Sequence, residues 1–244
     1  MPHWRAIRQR AASESFAAGC TRAAAPVKVG EALVVRFDAL FCLGCTLARP
    51  YKTGMDTLDD YLKESAEIIT QTRRALDPAK VERAVQVSLT ALEADKPLLI
   101  CGNGGSASDA MHIAGELVGR FLKERRALKA IALSADSAII TAWGNDYSYD
   151  EVFARQVDAY GEPGGVLLAI STSGGSKNVV AAVKAAKAKG MTSIALTGKG
   201  GGMLGSLVDI LIDVPSTSTP LIQQTHICLY HYLCAEIEAR LAKS

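Results

Sequence analysis

The stretch Leu98 to Phe121, reading LLICGNGGSASDAMHIAGELVGRF, restricts the fold of this chain more than any other. An apolar run, Leu98 to Cys101, stops at Gly102-Asn103-Gly104-Gly105-Ser106, and a helical pattern over Ser106 to Phe121 begins immediately afterwards. A strand that enters a Gly/Ser loop and leaves as a helix is the opening half of a parallel β-α-β unit. Glycines let backbone N–H groups converge on an anion, and the helix start adds partial positive charge. The same helix carries His112 and Glu116 four positions apart, so both side chains face one way.

Downstream the pattern recurs. Ala130 to Leu133 reads as a second strand and Ser137 to Trp143 as a short helix, which Gly144-Asn145-Asp146 is expected to break. A helix follows over Tyr149 to Ala159. Gly165 to Ile170 (GVLLAI) is a third strand, and it enters Ser171-Thr172-Ser173-Gly174-Gly175-Ser176 before an Ala/Lys-rich helix that Gly190 stops. Ser193 to Leu196 and Asp209 to Val214 complete five strands, and an amphipathic helix from about Pro220 to Leu241 closes the chain. Strands alternating with helices predict an α/β fold: a doubly wound, five-stranded parallel sheet flanked by helices. Ahead of it, Leu58, Leu62, Ala66 and Ile69, then Val81, Val85, Leu89 and Leu92, recur at helical spacing on either side of Asp77-Pro78, with Asp56 or Thr57 available as a cap. Residues 55–95 are therefore a helical hairpin whose apolar stripes must be buried on the sheet domain or on another subunit.

Residues 1–54 differ from the rest. They hold eight Lys/Arg against three acidic residues, +5 in a chain whose total is +2, so residues 55–244 carry −3. Nothing in that body advertises a phosphate backbone as partner, and a nucleic-acid-binding role is not expected. The segment is weakly periodic and fits neither a signal peptide nor an anchor; it reads as an extension or as translated sequence ahead of a working start at Met55. No apolar run is long enough for a helical membrane span. Six scattered cysteines suggest a reducing compartment, hence the cytoplasm, and the lone Cys42-Leu43-Gly44-Cys45 is best read as chance.

Two Gly/Ser loops at strand ends point to a phosphate-bearing ligand, because open parallel sheets bind ligands outside the carboxyl ends of their strands. Ser171, Thr172, Ser173 and Ser176 supply short hydroxyl donors, and neither GxxxxGK[ST] nor GxGxxG is present to suggest a nucleotide. On the closing helix Gln223, Gln224, His226 and His231 interrupt an apolar face of Ile222, Ile227, Leu229, Leu233 and Ile237. Such polar groups destabilise unless they are paired or bind something. His112 and Glu116 with a Gln and a His from that helix would make a four-donor metal site, or an acid/base pair for moving protons between adjacent carbons. Spacing does not choose between His226 and His231.

These residues, through CGNGGSASDAMHIAGE, AWGNDYSYDEVF, LLAISTSGGSKNV, ALTGKGGGM and VPSTSTPLIQQTHICLYH, resemble the sugar isomerase (SIS) domain family, and within it the bacterial phosphoheptose isomerases, over essentially all of 55–244. The resemblance implies a flavodoxin-like sheet and a homotetramer with active sites at subunit boundaries, which the hairpin would help assemble. By matching position it implies a sugar-binding loop at Asn103, Gly104 and Gly105, a phosphate-binding loop at Ser171, Thr172, Ser173 and Ser176, and substrate contacts from Asn145, Asp146, Glu116 and Gln223. It implies one Zn2+ per subunit on His112, Glu116, Gln223 and His231, with Glu116 and His231 as the catalytic pair. The implied reaction converts sedoheptulose 7-phosphate to D-glycero-D-manno-heptopyranose 7-phosphate through an enediol, for nucleotide-activated heptose and surface polysaccharide. Pro220 and Leu221 stand where some relatives carry a charged residue. The rival readings are an SIS-type interaction protein that associates with the replication initiator DnaA but lacks the equivalents of Glu116 and His231, and an isomerase or sensor of another phosphosugar.

Overall fold

Strand β1 (Leu98–Gly102) is buried at every position, as is β3 (Val166–Ser171), which is what a central strand covered on both faces demands. The computed structural model describes residues 57–242, and the expectations for residues 1–54 lie outside them. With β2 (Ala130–Ala132), β4 (Thr192–Thr197) and β5 (Ile210–Asp213), these strands form one parallel sheet of order β2-β1-β3-β4-β5. Side chains alternate between its faces with period two. Leu98, Ile100, Leu168, Ile170, Ile194 and Leu196 enter one core, and Leu99, Cys101, Leu167, Ala169 and Ala195 the other.

Helices α2 (Pro78–Glu93), α3 (Gly105–Val118) and α7 (Thr219–Leu241) cover the first face through Val85, Leu92, Ile113, Leu117, Tyr230 and Leu233. The second is covered by α5 (Val152–Tyr160) and α6 (Lys177–Ala188), through Phe153, Val157, Val179 and Val183. Helix α1 (Leu58–Ala75) begins at Thr57, whose hydroxyl accepts from the Asp60 N–H, and α2 at Asp77, whose carboxylate accepts from the Ala79 N–H. Of α1 only Thr72 is buried, and its apolar stripe, Leu58, Leu62 and Ile69, is left exposed.

Three expectations need correction. Helix α3 ends at Val118, three residues before Phe121, because Arg125 takes the carbonyls of Glu116 and Gly119 while the buried Glu238 carboxylate accepts from the N–H groups of Phe121, Leu122 and Lys123. Those hydrogen bonds make a turn as well satisfied as another turn of helix. Helix α4 (Ser137–Asp146), capped by Asp136, runs through Gly144, where a break is expected from sequence. A glycine inside a helix costs only about 1 kcal/mol, so Asn145 and Asp146 form the last turn. On α7, Ile227 is exposed and the buried face is instead Leu221, Ile222, Thr225, His226, Tyr230, Leu233, Cys234, Ile237 and Glu238.

Candidate active site

The strand order reverses direction between β1 and β3, so the two loops singled out from sequence leave the sheet side by side at its switch point. An amide pair locks them together. Asn103 Nδ2 donates to Asn178 Oδ1 at 2.8 Å, Asn178 Nδ2 returns a bond to Asn103 Oδ1 at 2.9 Å, and Tyr149 Oη donates to the same oxygen at 2.9 Å. Much of the hydrogen-bonding capacity of Asn103 is thus spent on the scaffold. Tyr149 also lies against Gly144, which brings the end of α4, with Asn145 donating to the exposed Asp146 at 2.8 Å, beside the first loop. Neither Asn178 nor Tyr149 carries a sequence signal; only their distant partner makes them informative.

The second loop is built differently. Ser171 and Ser176 share a hydroxyl contact at 3.0 Å, Ser173 Oγ accepts from the Gly175 N–H, and Thr172 meets Thr219 of α7 at 3.4 Å. Gly174 sits at φ 64°, and a Cβ there would lie 2.0 Å from the Gly201 carbonyl oxygen, so the turn admits no side chain. Three helices start around this point, α3 after Gly104, α6 after Ser176 and α7 after Ser218, and none receives a hydrogen bond from a capping side chain. Backbone donors and the positive ends of helix dipoles therefore gather at one pole, as an anion site requires.

From that pole α3 and α7 run in parallel. Gly105 faces Gln223 and His112 faces Tyr230 and His231, an offset of nearly constant length along both helices, and just beyond the end of α3 the Phe121 N–H meets Glu238. A Cβ at Gly105 would lie 2.3 Å from Gln223 Nε2, so the glycine is what lets that amide rest on the helix start. About 10 Å further along, at 1.5 Å per residue, is a second, titratable pole. There His112 Nε2 stands 3.0 Å from Glu116 Oε1, and the His112 and His231 rings cross edge-on with centroids 5.0 Å apart. Phe121 lies on the other side of His231 at 5.4 Å, and Tyr230 Oη is 2.9 Å from His112 Nδ1.

The structure separates the two histidines that spacing left equivalent. His226 is fully buried, its Nε2 facing the Thr197 carbonyl at 3.1 Å, and desolvation pushes its pKa down to about 4. A carbonyl only accepts, so Nε2 carries the hydrogen and the ring fastens α7 to the end of β4. His231 reaches the seam instead. Behind His112, burial raises the pKa of Asp109 and that of Tyr230. Gln224 is spent on the Tyr61 hydroxyl of α1.

Of the residues expected to hold a metal, His112, Glu116 and His231 come together, while Gln223 lies two turns nearer the anion pole. Among the described residues no three His, Cys, Asp or Glu groups form a ready cage. The donors nevertheless suit a divalent cation. His231 Nε2 is buried without a hydrogen-bond partner among the described residues, and His112 Nε2 and Glu116 Oε1 face one another as ordinary N and O ligands.

Comparison with known proteins is consistent with this geometry. Residues 60–198 match the SIS domain model. A phosphoheptose isomerase of Nitratidesulfovibrio vulgaris is 53% identical over 154 residues, 63% of this chain and 74% of that protein. The structure of a phosphoheptose isomerase from Francisella tularensis superposes with a TM-score of 0.73 at 39% identity, covering 76% of this chain and 98% of that one. The corresponding structure from Neisseria gonorrhoeae gives 0.70 at 41%, covering 74% and 96%.

Proposed function

This chain belongs to the phosphoheptose isomerases of the SIS-domain family, and we propose that it interconverts sedoheptulose 7-phosphate and D-glycero-D-manno-heptopyranose 7-phosphate through an enediol. The observation that carries this reading is the pairing of an anion pole with a His/Glu pole along one helix seam. The phosphate is bound by Ser171, Thr172, Ser173 and Ser176 and by the uncapped starts of α3, α6 and α7. Asn103, Gly104, Gly105, Asn145, Asp146 and Gln223 line the path of the sugar, which places the carbonyl end at the far pole.

There the Glu116 carboxylate takes a proton from C1 of the ketose and returns it to C2. His231 moves the proton between the oxygens on C2 and C1, so the enediol collapses to the aldose with no net gain or loss of atoms. His112, Glu116 and His231 would hold Zn2+, with Gln223, two turns away on α7, facing the sugar instead. When bound, the ion supplies Lewis-acid polarisation of the sugar oxygens.

The uncovered apolar stripe of α1, Leu58, Leu62 and Ile69, supports assembly as a homotetramer in which the helical hairpin is buried between subunits. The free Cys101, Cys228 and Cys234 support a cytoplasmic setting, and among the described residues no helix is long and apolar enough to cross a membrane.

The test is turnover of sedoheptulose 7-phosphate with Zn2+ supplied. Glu116→Gln and His231→Gln are each expected to lower kcat about 10²- to 10⁴-fold with little change in KM. An inactive wild-type protein, or variants as active as the wild type, would sink the proposal. Elemental analysis of protein purified without chelator reads the metal directly.

A further inference from the structure

Tyr230 has one hydroxyl hydrogen and two polar neighbours. Asp109 Oδ1 lies at 3.4 Å and His112 Nδ1 at 2.9 Å. Asp109 is 7% exposed and its Oδ2 meets no donor among the described residues. As a carboxylate it can only accept, and among the described residues the phenolic hydrogen is its one source of a hydrogen bond. With that hydrogen turned to Asp109, the phenolic oxygen presents a lone pair to His112, and the neutral imidazole must carry its hydrogen on Nδ1. His112 Nε2 is then left as a lone pair 3.0 Å from a carboxylate oxygen of Glu116. Two acceptors that close call for a proton or a cation between them.

We propose that Asp109 and Tyr230 are positioning residues that fix His112 in its Nδ1–H tautomer and so aim the Nε2 lone pair at the space shared with Glu116. Asp109 and His112 are three residues apart on α3 and share a face, while Tyr230 comes from α7, so the device spans the seam. Without it, the preferred arrangement of the isolated pair is the opposite one, with Nε2–H donating to Glu116. That tautomer closes the site to a cation. The inference rests on the metal reading above, but its test does not depend on turnover.

The test is the tautomer itself, read from ¹⁵N shifts of His112 in metal-free, full-length protein at alkaline pH, where the imidazole is neutral. Wild type is expected to show Nδ1–H. Tyr230→Phe, which keeps the ring and removes the hydroxyl, is expected to shift to Nε2–H and to weaken Zn2+ binding about tenfold, measured by competition with a chromophoric chelator. Asp109→Asn, which offers Tyr230 a donor and frees its hydrogen for His112, should shift the tautomer the same way and serves if Tyr230→Phe does not fold. Identical tautomers in wild type and variants would overturn the inference. Altered tautomers in a protein that fails to isomerise sedoheptulose 7-phosphate would remove the proposed function and leave this inference standing.

Discussion

Apart from α5, which continues directly from a 3-10 turn at Tyr149–Glu151, the described helices of this protein begin in two ways. Away from the switch point, α1, α2 and α4 are capped by Thr57, Asp77 and Asp136, each accepting from a first-turn N–H. At the switch point, α3, α6 and α7 start at Gly104, Ser176 and Ser218 with no such bond, although two of those residues are serines able to provide it. Ser176 turns its hydroxyl to Ser171, and Ser218 donates its own N–H to Ser216. A cap satisfies the orphan donors permanently, whereas an open helix start leaves them available to an anion.

The most severe way to break this contrast is Ser176→Asp. An aspartate there caps α6 and should leave the protein as stable as wild type or about 1 kcal/mol more so, yet it sets a negative charge at the proposed phosphate site. A like charge so placed costs several kcal/mol, so KM for the sugar phosphate is expected to rise about a hundredfold or more. An unchanged KM would show that the open helix starts are not the anion site.

A second measurement sharpens the contrast at α7, which lacks a cap but is pinned by His226 to the Thr197 carbonyl. The folded pKa of His226, about 4, is below the unfolded value of 6.5. Between those values the unfolded chain binds the proton and the folded one does not. Stability is therefore full above pH 6.5 and is lost as the pH falls towards 4. From pH 7 to 5 the loss amounts to about 2 kcal/mol, at 1.36 kcal/mol per pH unit. Urea unfolding at both pH values should show this in wild type and a shallower fall in His226→Gln, whose amide can still donate to Thr197. Equal falls in both proteins would exclude His226 as the cause.

The smallest expected effect is at the capped class. Thr57→Ala should cost about 1 kcal/mol of stability without altering kcat or KM, because α1 touches neither pole. A change in KM from this substitution would mean that cap and site are coupled, and the separation into two classes of helix start would fail.

Much of the architecture is written locally. Strand burial follows from unbroken apolar runs such as Leu98 to Cys101, the loop positions from Gly and Ser clusters, and the starts of α1 and α2 from Thr57 and Asp77-Pro78. The misread boundaries are those decided at long range. Nothing near Phe121 in the chain says that Glu238, 117 residues away, will take its N–H and end α3 early. The site divides likewise: His112 and Glu116 are legible as a pair because helix spacing alone puts them on one face.

The sequence alone determined which groups exist to do chemistry and the order of strands and helices that carries them, since both depend on residue type and short-range periodicity. Helix spacing left His226 and His231 equivalent and only resemblance pointed to His231; the tertiary structure brings His231 to His112, and it alone decided that Asn178 and Tyr149 hold the first loop and that Asp109 and Tyr230 stand behind the His/Glu pair. Those are contacts between segments tens to over a hundred residues apart, fixed by how α3 and α7 lie together on one face of the sheet and by how α6 and the turn at Tyr149 meet the first loop, and chain order does not contain that information.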